Sequence, residues 1–290
     1  MQQNDPYKAL RLAAEMFEDM QKQRCNVENK IQAFYGVSKD DFKKLRKELE
    51  ATGEGITFFA MLKQAEEAEK FAGKMMAGNL EKAAGPNLLG FIEATPGIAL
   101  HTAARLLGVI GNPYIAYPHH WEEGKTAKAK KVLVADEPYV RRVPDLWGYS
   151  GYGDASKRPT KGQSQAETFA LGNPKAKMLA HIIAGTLIQY GVDKLDFCQE
   201  TNTKDPVAGY DLEGRKAISD FGEVFLGARK LYGGSLHPDV CVRCGPSGKP
   251  AQAGSVRSLG HQHAMATRKV AKELLKQLWI AARADYELEV

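Results

Sequence analysis

Apolar side chains recur at helical spacing along most of the chain, and few segments alternate apolar and polar residues as a half-buried strand would. Residues 6–33 carry a helical stripe made of Leu10, Ala13, Ala14, Phe17, Met20 and Ile31. A second helix is predicted over residues 37–55, because Ser38 can cap its start and Gly53 can end it. A third helix, charged on one face, is predicted over residues 56–84.

A Gly-Pro pair at positions 85 and 86 separates these helices from the rest of the chain. The remaining helices are predicted as a short pair within 86–111, and then over 174–191, 213–232 and 261–289. Residues 112–144 contain four prolines and a lysine run, which indicates a loop. The pattern therefore predicts a mainly α protein that begins with a helical arm, residues 1–85. This arm is either a coiled-coil-like surface for dimerisation or partner docking, or three helices that pack on their own domain.

Charge is unevenly distributed along the sequence. The net charge is +5, but residues 1–90 are neutral overall, since they hold 14 basic and 14 acidic residues. Residues 124–177 instead hold 11 Lys or Arg against 5 Asp or Glu. A basic segment of this kind is typical of a polyanion-binding surface, although a solvated basic loop gives the same composition.

Composition also narrows the cellular setting. No apolar run reaches the length of about 18 residues that a membrane span needs. The first residues, MQQNDPYKAL, lack the basic start and apolar core of a secretion signal, so a cytoplasmic protein without a membrane partner is expected. In that setting Cys241 and Cys244, which form C-x-x-C, indicate metal binding or redox chemistry before a structural disulfide.

The segment TPGI at 95–98 joins the two short helices of residues 86–111 and predicts a helix-hairpin-helix. Gly97 has no Cβ and would let the backbone approach a ligand closely. The helix that starts near His101 offers free N–H groups, which suit a phosphate. The motif therefore indicates sequence-independent contact with a nucleic-acid backbone. The alternative is an ordinary helical turn with a Pro-Gly break, since Ala99 stands where such hairpins usually have a second glycine.

The candidate nucleic-acid contacts come from the hairpin, the basic segment and an aromatic-glycine stretch. They are Gly97, Ile98, Ala99, His101, Thr102, Arg105, Lys128, Lys130, Lys131, Arg141, Arg142, Tyr152, Lys157, Arg158 and Lys161. Tyr149 and Tyr152 can stack bases beside these cations, whereas Trp147 is expected in the core.

The C-x-x-C at Cys241 and Cys244 is followed directly by a glycine, as in a zinc knuckle. Two more ligands are needed. The predicted set is Cys241, Cys244, His261 and His263, with His237 as a substitute for His263 and Cys198 further away. Four ligands would make the zinc structural rather than catalytic. The alternative is a pair of reduced thiols in a surface loop.

Three segments occur in a suggestive order: TPGIALHTAARLLGVIGNP, LWGYSGYGDASKRPTKGQ and LGNPKAKMLAHIIAGTLI. Together they resemble the C-terminal domain of IS110/IS116/IS902-family transposases. The chain is also similar to stand-alone helix-hairpin-helix proteins of actinobacterial phages and prophages, which carry a block like CVRCGPSGKP. The resemblance implies DNA binding in a mobile-element or phage setting. The transposases carry acidic metal ligands on strands and a catalytic serine. Here the only nearby serine is Ser156, out of register, and a catalytic role for it is a weak prediction.

These observations divide the chain into the arm at 1–85, a central nucleic-acid-binding domain at 86–191, and C-terminal helices with the cysteine block at 192–290. Three functions follow as alternatives. The favoured one is a non-catalytic protein that binds DNA, in preference to RNA, through its phosphates. The others are a divergent transposase-like recombinase and a helical interaction protein whose hairpin only packs.

Overall fold

The computed structural model describes residues 5–53, 56–122, 132–154, 163–193, 214–242, 244 and 249–289. Within these ranges the protein is mainly helical, which confirms the predicted fold class. The helices are α1 Lys8–Tyr35, α2 Phe42–Thr52, α3 Ile56–Ala83, α4 Pro86–Ala94, α5 Leu100–Ile110, α6 Val143–Tyr149, α7 Gln165–Ala170, α8 Pro174–Gly191, α9 Asp220–Tyr232 and α10 Leu259–Glu289. Of the helices within these ranges, none is both long and apolar enough to cross a bilayer.

The segment predicted as a loop, 112–144, contains two short antiparallel strand pairs instead. The strands are β1 Ile115–Ala116, β2 His119–Glu122, β3 Val132–Ala135 and β4 Tyr139–Val140, and β1 pairs with β4 while β2 pairs with β3. The β-branched and apolar residues of β3 favour a strand. The prolines at 118 and 138 flank the β2–β3 pair, where the lack of a backbone donor ends a ladder.

Helices α1 and α3 run antiparallel. The ring of Phe34 lies near Phe58 at one end, and Arg24 pairs with Glu69 further along. The distal ends of both helices share a small separate core with α2, formed by Ile31, Phe42, Leu49, Phe59 and Leu62. The arm is thus a helical hairpin with its own hydrophobic tip.

The larger core joins all three predicted segments. Leu10 of α1, Leu107 of α5 and Leu274 of α10 belong to it and are fully buried. Alanines line α8 on this side, so neighbouring helices approach it closely; they are Ala176, Ala180 and Ala184. The proximal half of the arm therefore packs on the body of the protein, while the boundaries 1–85, 86–191 and 192–290 stay sequence-based predictions.

Two of the motifs that carry the family resemblance meet in space. A Cβ on Gly172 would overlap the backbone of Gly151, so the aromatic-glycine turn and the turn before α8 touch through glycines. The backbone N–H of Asn173 donates to the carbonyl oxygen of Tyr149 at 2.6 Å. The side chain of Asn173 then caps α8 by accepting from the N–H groups of residues 175 and 176.

Candidate metal centre and nucleic-acid interface

Four metal-ligand side chains converge at the start of α10. His237, Cys241, Cys244 and His261 each offer one ligand atom, and these atoms all lie within 4.8 Å of one another. Nδ1 of His261 is 3.1 Å from Sγ of Cys244 and 3.8 Å from Sγ of Cys241. Ligands at 2.0–2.3 Å around a tetrahedral zinc ion would be roughly 3.3–3.8 Å apart, so the arrangement fits a metal with small adjustments.

Short antiparallel bridges hold the ligands in place. Leu236 pairs with Val256, and Cys241 pairs with Ala251 through two backbone hydrogen bonds of 2.8 Å. His237 is fixed between them, because its N–H donates to Ser255 and its carbonyl oxygen accepts from Gly254. Cys241 and Cys244 thereby lie against the start of α10, where Ser258 and His261 contact them.

The burial of His237 supports a ligand role. Its side chain is 3% exposed, yet Nε2 has no hydrogen-bond partner in the described part of the chain. A buried polar atom without a partner costs about 1–3 kcal/mol, and a metal ion would satisfy it. The pKa of the Cys244 thiol lies below its ordinary value. Burial raises this pKa, but hydrogen bonds with Ser258 and Cys241 and the charge of Arg257 lower it by more.

His263, the preferred fourth ligand in the sequence analysis, does not belong to this cluster. Its ring packs edge-on against Phe225, with the two ring centroids 5.2 Å apart. Residues two positions apart on a helix project about 200° from each other, so His261 and His263 cannot share a site. His237, the predicted substitute, takes that place. Cys198 lies outside the described residues.

The hairpin predicted at 95–98 joins α4 to α5, and Gly97 has φ of +97° as a tight turn requires. The close approach of this glycine, however, is to α8. A Cβ on Gly97 would lie 3.0 Å from the carbonyl oxygen of Thr186 and 3.1 Å from the backbone nitrogen of Leu187. This packing is sufficient reason for the glycine. The outer side of the hairpin, with Ala99, faces solvent, while Ile98 packs against the core.

The first turn of α5 is accessible to solvent, but some side chains of α5 already contact α1. The exposed ring of His101 stacks on Phe17 at 6.0 Å. Thr102 is half-buried. Arg105, predicted as a phosphate contact, is instead ion-paired with Glu18 at 3.1 Å. Since both side chains are at most one-fifth exposed, Arg105 ties α5 to α1 rather than facing a ligand.

Three further candidates from the sequence have contacts within the fold. Arg141 donates to the carbonyl oxygens of Ile110 and Asn112. Arg142 is exposed, and its guanidinium pairs with Asp145 in the capping box of α6. Tyr152 is 2% exposed, so it cannot stack a base, and burial raises the pKa of its phenol. Its hydroxyl donates to the carbonyl oxygen of residue 177.

The remaining predicted contacts, and the serine considered for catalysis, lie outside the described residues. They are Lys128, Lys130, Lys131, Lys157, Arg158, Lys161 and Ser156.

The structure adds a basic surface that the sequence analysis missed. Arg268, Lys269 and Lys272 lie in the middle of α10, and we call them the α10 basic strip. In the part of the chain that the structure describes, no carboxylate pairs with any of the three. Desolvation lowers the pKa of Lys272, and the charges of its two neighbours lower it further. The sequence alone gives only a weak indication of this surface, because a few cations on a long helix usually form a solvated face.

Aromatic side chains lie under the strip. Nζ of Lys272 is 3.9 Å from the ring centre of Trp147, and the guanidinium of Arg268 is 5.4 Å from that of Tyr152. Arg268 also donates to the carbonyl oxygen of Gly153 at 3.2 Å. These contacts hold two of the three cations in fixed positions beside the turn at 150–154.

Comparison of the chain with protein-family models, curated proteins and solved structures finds no match.

Proposed function

We propose that this protein binds nucleic acid through its phosphate backbone, with duplex DNA as the main ligand. The observation that carries the proposal is the α10 basic strip. Three neighbouring cations have no acidic partner among the described residues. Desolvation is the main cause of the lowered pKa of Lys272, and repulsion from Arg268 and Lys269 lowers it further. A phosphate group would relieve this repulsion.

Helix geometry aligns the strip with the candidate metal centre. At 100° per residue, Arg268 and Lys272 project within about 20° of His261 on α10. One stripe of this helix therefore carries the metal cluster at its start and two cations two to three turns later. A nucleic-acid backbone that follows this face of α10 would meet two aligned cations and not an isolated charge.

The sequence that follows Gly153, a contact of the strip, is also basic. Arg268 contacts Gly153, and the sequence continues from there into a segment with Lys157, Arg158 and Lys161. The exposed start of α5 provides a second place where backbone N–H groups could meet phosphate oxygens. The resemblance to transposase C-terminal domains favours DNA over RNA and a mobile-element or phage setting.

Salt-dependent binding tests this proposal. Affinity for a duplex DNA of mixed sequence should fall with salt, with a slope of log K against log salt of about −4 to −5 if some 4 to 6 phosphates are neutralised. Duplex RNA and single-stranded DNA of equal length identify the preferred ligand. Affinity that stays constant from low to moderate salt would contradict phosphate binding.

We also propose that the cluster of His237, Cys241, Cys244 and His261 holds a structural zinc ion. The donor set of two thiolates and two imidazoles is that of closed tetrahedral zinc sites. Such an ion would tie the 236–256 loop to α10, and its binding energy would contribute directly to folding. Four protein ligands leave no open position for substrate, so the role is architectural.

The predicted homodimer through the arm also stays a proposal. Large apolar side chains are exposed on α1 and α3, among them Phe34, Met61 and Phe71 at 55–71% exposure. Sedimentation equilibrium of the intact protein, compared with a variant in which Phe71 is replaced by Gln, would test it.

A further inference from the structure

A cavity of about 360 Å³ lies where the start of the chain meets the end of α5 and the β1–β4 pair. Its walls include Asp5, Arg11, Gly111, Tyr139, Arg141 and Tyr149. The volume falls within the range of roughly 300–1,000 Å³ that small-molecule sites occupy. The charged and aromatic residues in the walls are the kinds that recognise an anionic ligand with a flat ring.

Arg141 is held rigidly at this cavity. Its Nη1 donates to the carbonyl oxygens of Ile110 at 2.8 Å and Asn112 at 3.1 Å. Its guanidinium lies over the ring of Tyr149, 5.3 Å from the ring centre. Tyr149 is fixed in turn, because its hydroxyl donates to the carbonyl oxygen of Val109 at 3.0 Å. The guanidinium is therefore positioned before any ligand arrives.

The donors of Arg141 are only partly used. Both of its hydrogen bonds come from Nη1, which leaves Nε and Nη2 without a protein acceptor among the described residues. Neither of these atoms is sealed away from solvent. A guanidinium whose remaining donors face a cavity is suited to a planar or tetrahedral oxyanion.

The second arginine does not cancel this charge. Arg11 pairs with the buried carboxylate of Asp5 at 3.2 Å, and Asp5 also accepts from the N–H of Tyr7 at 2.9 Å. This pair is neutral as a unit, and among the described residues no carboxylate forms an ion pair with Arg141. Desolvation lowers the pKa of Arg141. The charge of Arg11 also lowers it, whereas Tyr149, Tyr139 and Asp5 act in the opposite direction.

We propose that this cavity binds a phosphate monoester attached to an aromatic ring system, the chemistry of a single nucleotide. The phosphate would lie between Arg141 and Arg11, and the base would lie against a tyrosine ring of the wall. The same chemistry occurs in a free nucleotide and at the 5′-phosphorylated end of a nucleic-acid strand. The free-nucleotide case is independent of the proposed function, whereas the strand-end case rests on it.

Calorimetric titration with adenosine 5′-monophosphate, adenosine and inorganic phosphate tests the site. The nucleotide should bind at least about tenfold more tightly than adenosine, since a charged hydrogen-bonded pair is lost without the phosphate. Arg141→Gln and Arg11→Gln should each weaken nucleotide binding about tenfold or more. Arg142→Gln and Lys8→Gln serve as matched controls, because both side chains lie outside the cavity, and they should bind like the parent protein.

Loss of folding is checked by circular dichroism of each variant, and Arg11→Gln carries the test if Arg141→Gln unfolds. The proposal is overturned if the nucleotide does not bind at millimolar concentration, or if both arginine variants bind it normally. If a 5′-phosphorylated oligonucleotide binds more tightly than its 5′-hydroxyl counterpart, the site recognises strand ends. If the two oligonucleotides bind equally, the site recognises free nucleotides. Binding of a 5′-hydroxyl duplex tests the α10 basic strip alone. Failure of backbone binding by the strip can therefore be distinguished from failure of nucleotide binding by the cavity.

Discussion

The hydroxyl of Thr186 donates a hydrogen bond to the carbonyl oxygen of Gly97 at 2.5 Å, which fixes the α4–α5 hairpin against α8. The positive φ of Gly97 turns this carbonyl toward α8, and the missing Cβ leaves room for the α8 backbone. The tight Pro-Gly turn between two apolar helices thus has a structural explanation that requires no ligand.

Gly97→Val is accordingly expected to destabilise the protein. A side chain at this position would meet the backbone of Thr186 and Leu187, and the left-handed φ adds strain of about 1–3 kcal/mol. Urea unfolding should show a loss of at least that size. Gly90→Ala is the matched control, because Gly90 is helical and a Cβ there meets nothing within 4 Å. It should be neutral or stabilise by up to about 1 kcal/mol. Equal stability of the two variants would contradict the packing role.

This hairpin also shows what the sequence could and could not predict. The Pro-Gly pair between apolar stretches was enough to predict two helices and a turn, since these depend on local conformational preferences. The partner of Gly97 was hidden, because Thr186 lies far away in sequence. Tyr152 was misassigned for the same reason: a tyrosine beside lysines resembles a stacking residue until its burial is known.

The metal cluster illustrates the same limit. Local spacing predicted that Cys241 and Cys244 act together, because C-x-x-C alone brings two thiols near one ion. The third and fourth ligands depend on the direction of α10 and on the fold of the 236–256 loop. Helical periodicity disfavours a shared site for His261 and His263, but it does not identify the fourth ligand. The bridges at Leu236 and Cys241 bring His237 to the cluster.

Glu18 is expected to matter for stability. It receives Arg105 at 3.1 Å and Lys175 at 2.8 Å, and its side chain is only 14% exposed. Glu18→Gln would leave two half-buried cations without their counter-charge, at a cost of about 1–2 kcal/mol in the free energy of unfolding. Glu15→Gln, on the exposed face of the same helix, should have no measurable effect. If both variants unfold at the same urea concentration, the charges that join α1, α5 and α8 contribute nothing.

Freshly purified protein should contain about one zinc ion per chain by elemental analysis. A Cys241→Ser and Cys244→Ser double variant should lose the metal and melt at a lower temperature, because ion binding is coupled to folding. His237→Ala should weaken zinc retention against a chelator, whereas His263→Ala should retain the parent's zinc. Metal-free parent protein would refute the site, and loss of zinc from His263→Ala alone would refute this ligand set.

The last prediction concerns the α10 basic strip. Replacing Arg268, Lys269 and Lys272 together with Gln should weaken duplex DNA binding and flatten the salt slope by about 2 to 3 units, since each phosphate contact contributes about 0.9. Lys276→Gln is the control on the same helix, because Lys276 already pairs with Glu273 at 3.3 Å and should leave the slope unchanged.

The variant Arg105→Gln distinguishes phosphate contact by the α10 basic strip from phosphate contact by the α4–α5 hairpin. Because Arg105 is held by Glu18, its replacement should lower stability and leave the salt slope as it is. If instead Arg105→Gln flattens the slope and the triple variant does not, the hairpin is the phosphate contact and the strip is a solvated face. The exchange of Trp147 for Leu refines the test, because it removes the ring under Lys272 but no charge. It should weaken binding modestly at unchanged slope, since a cation that is no longer held in place must be ordered when the phosphate binds.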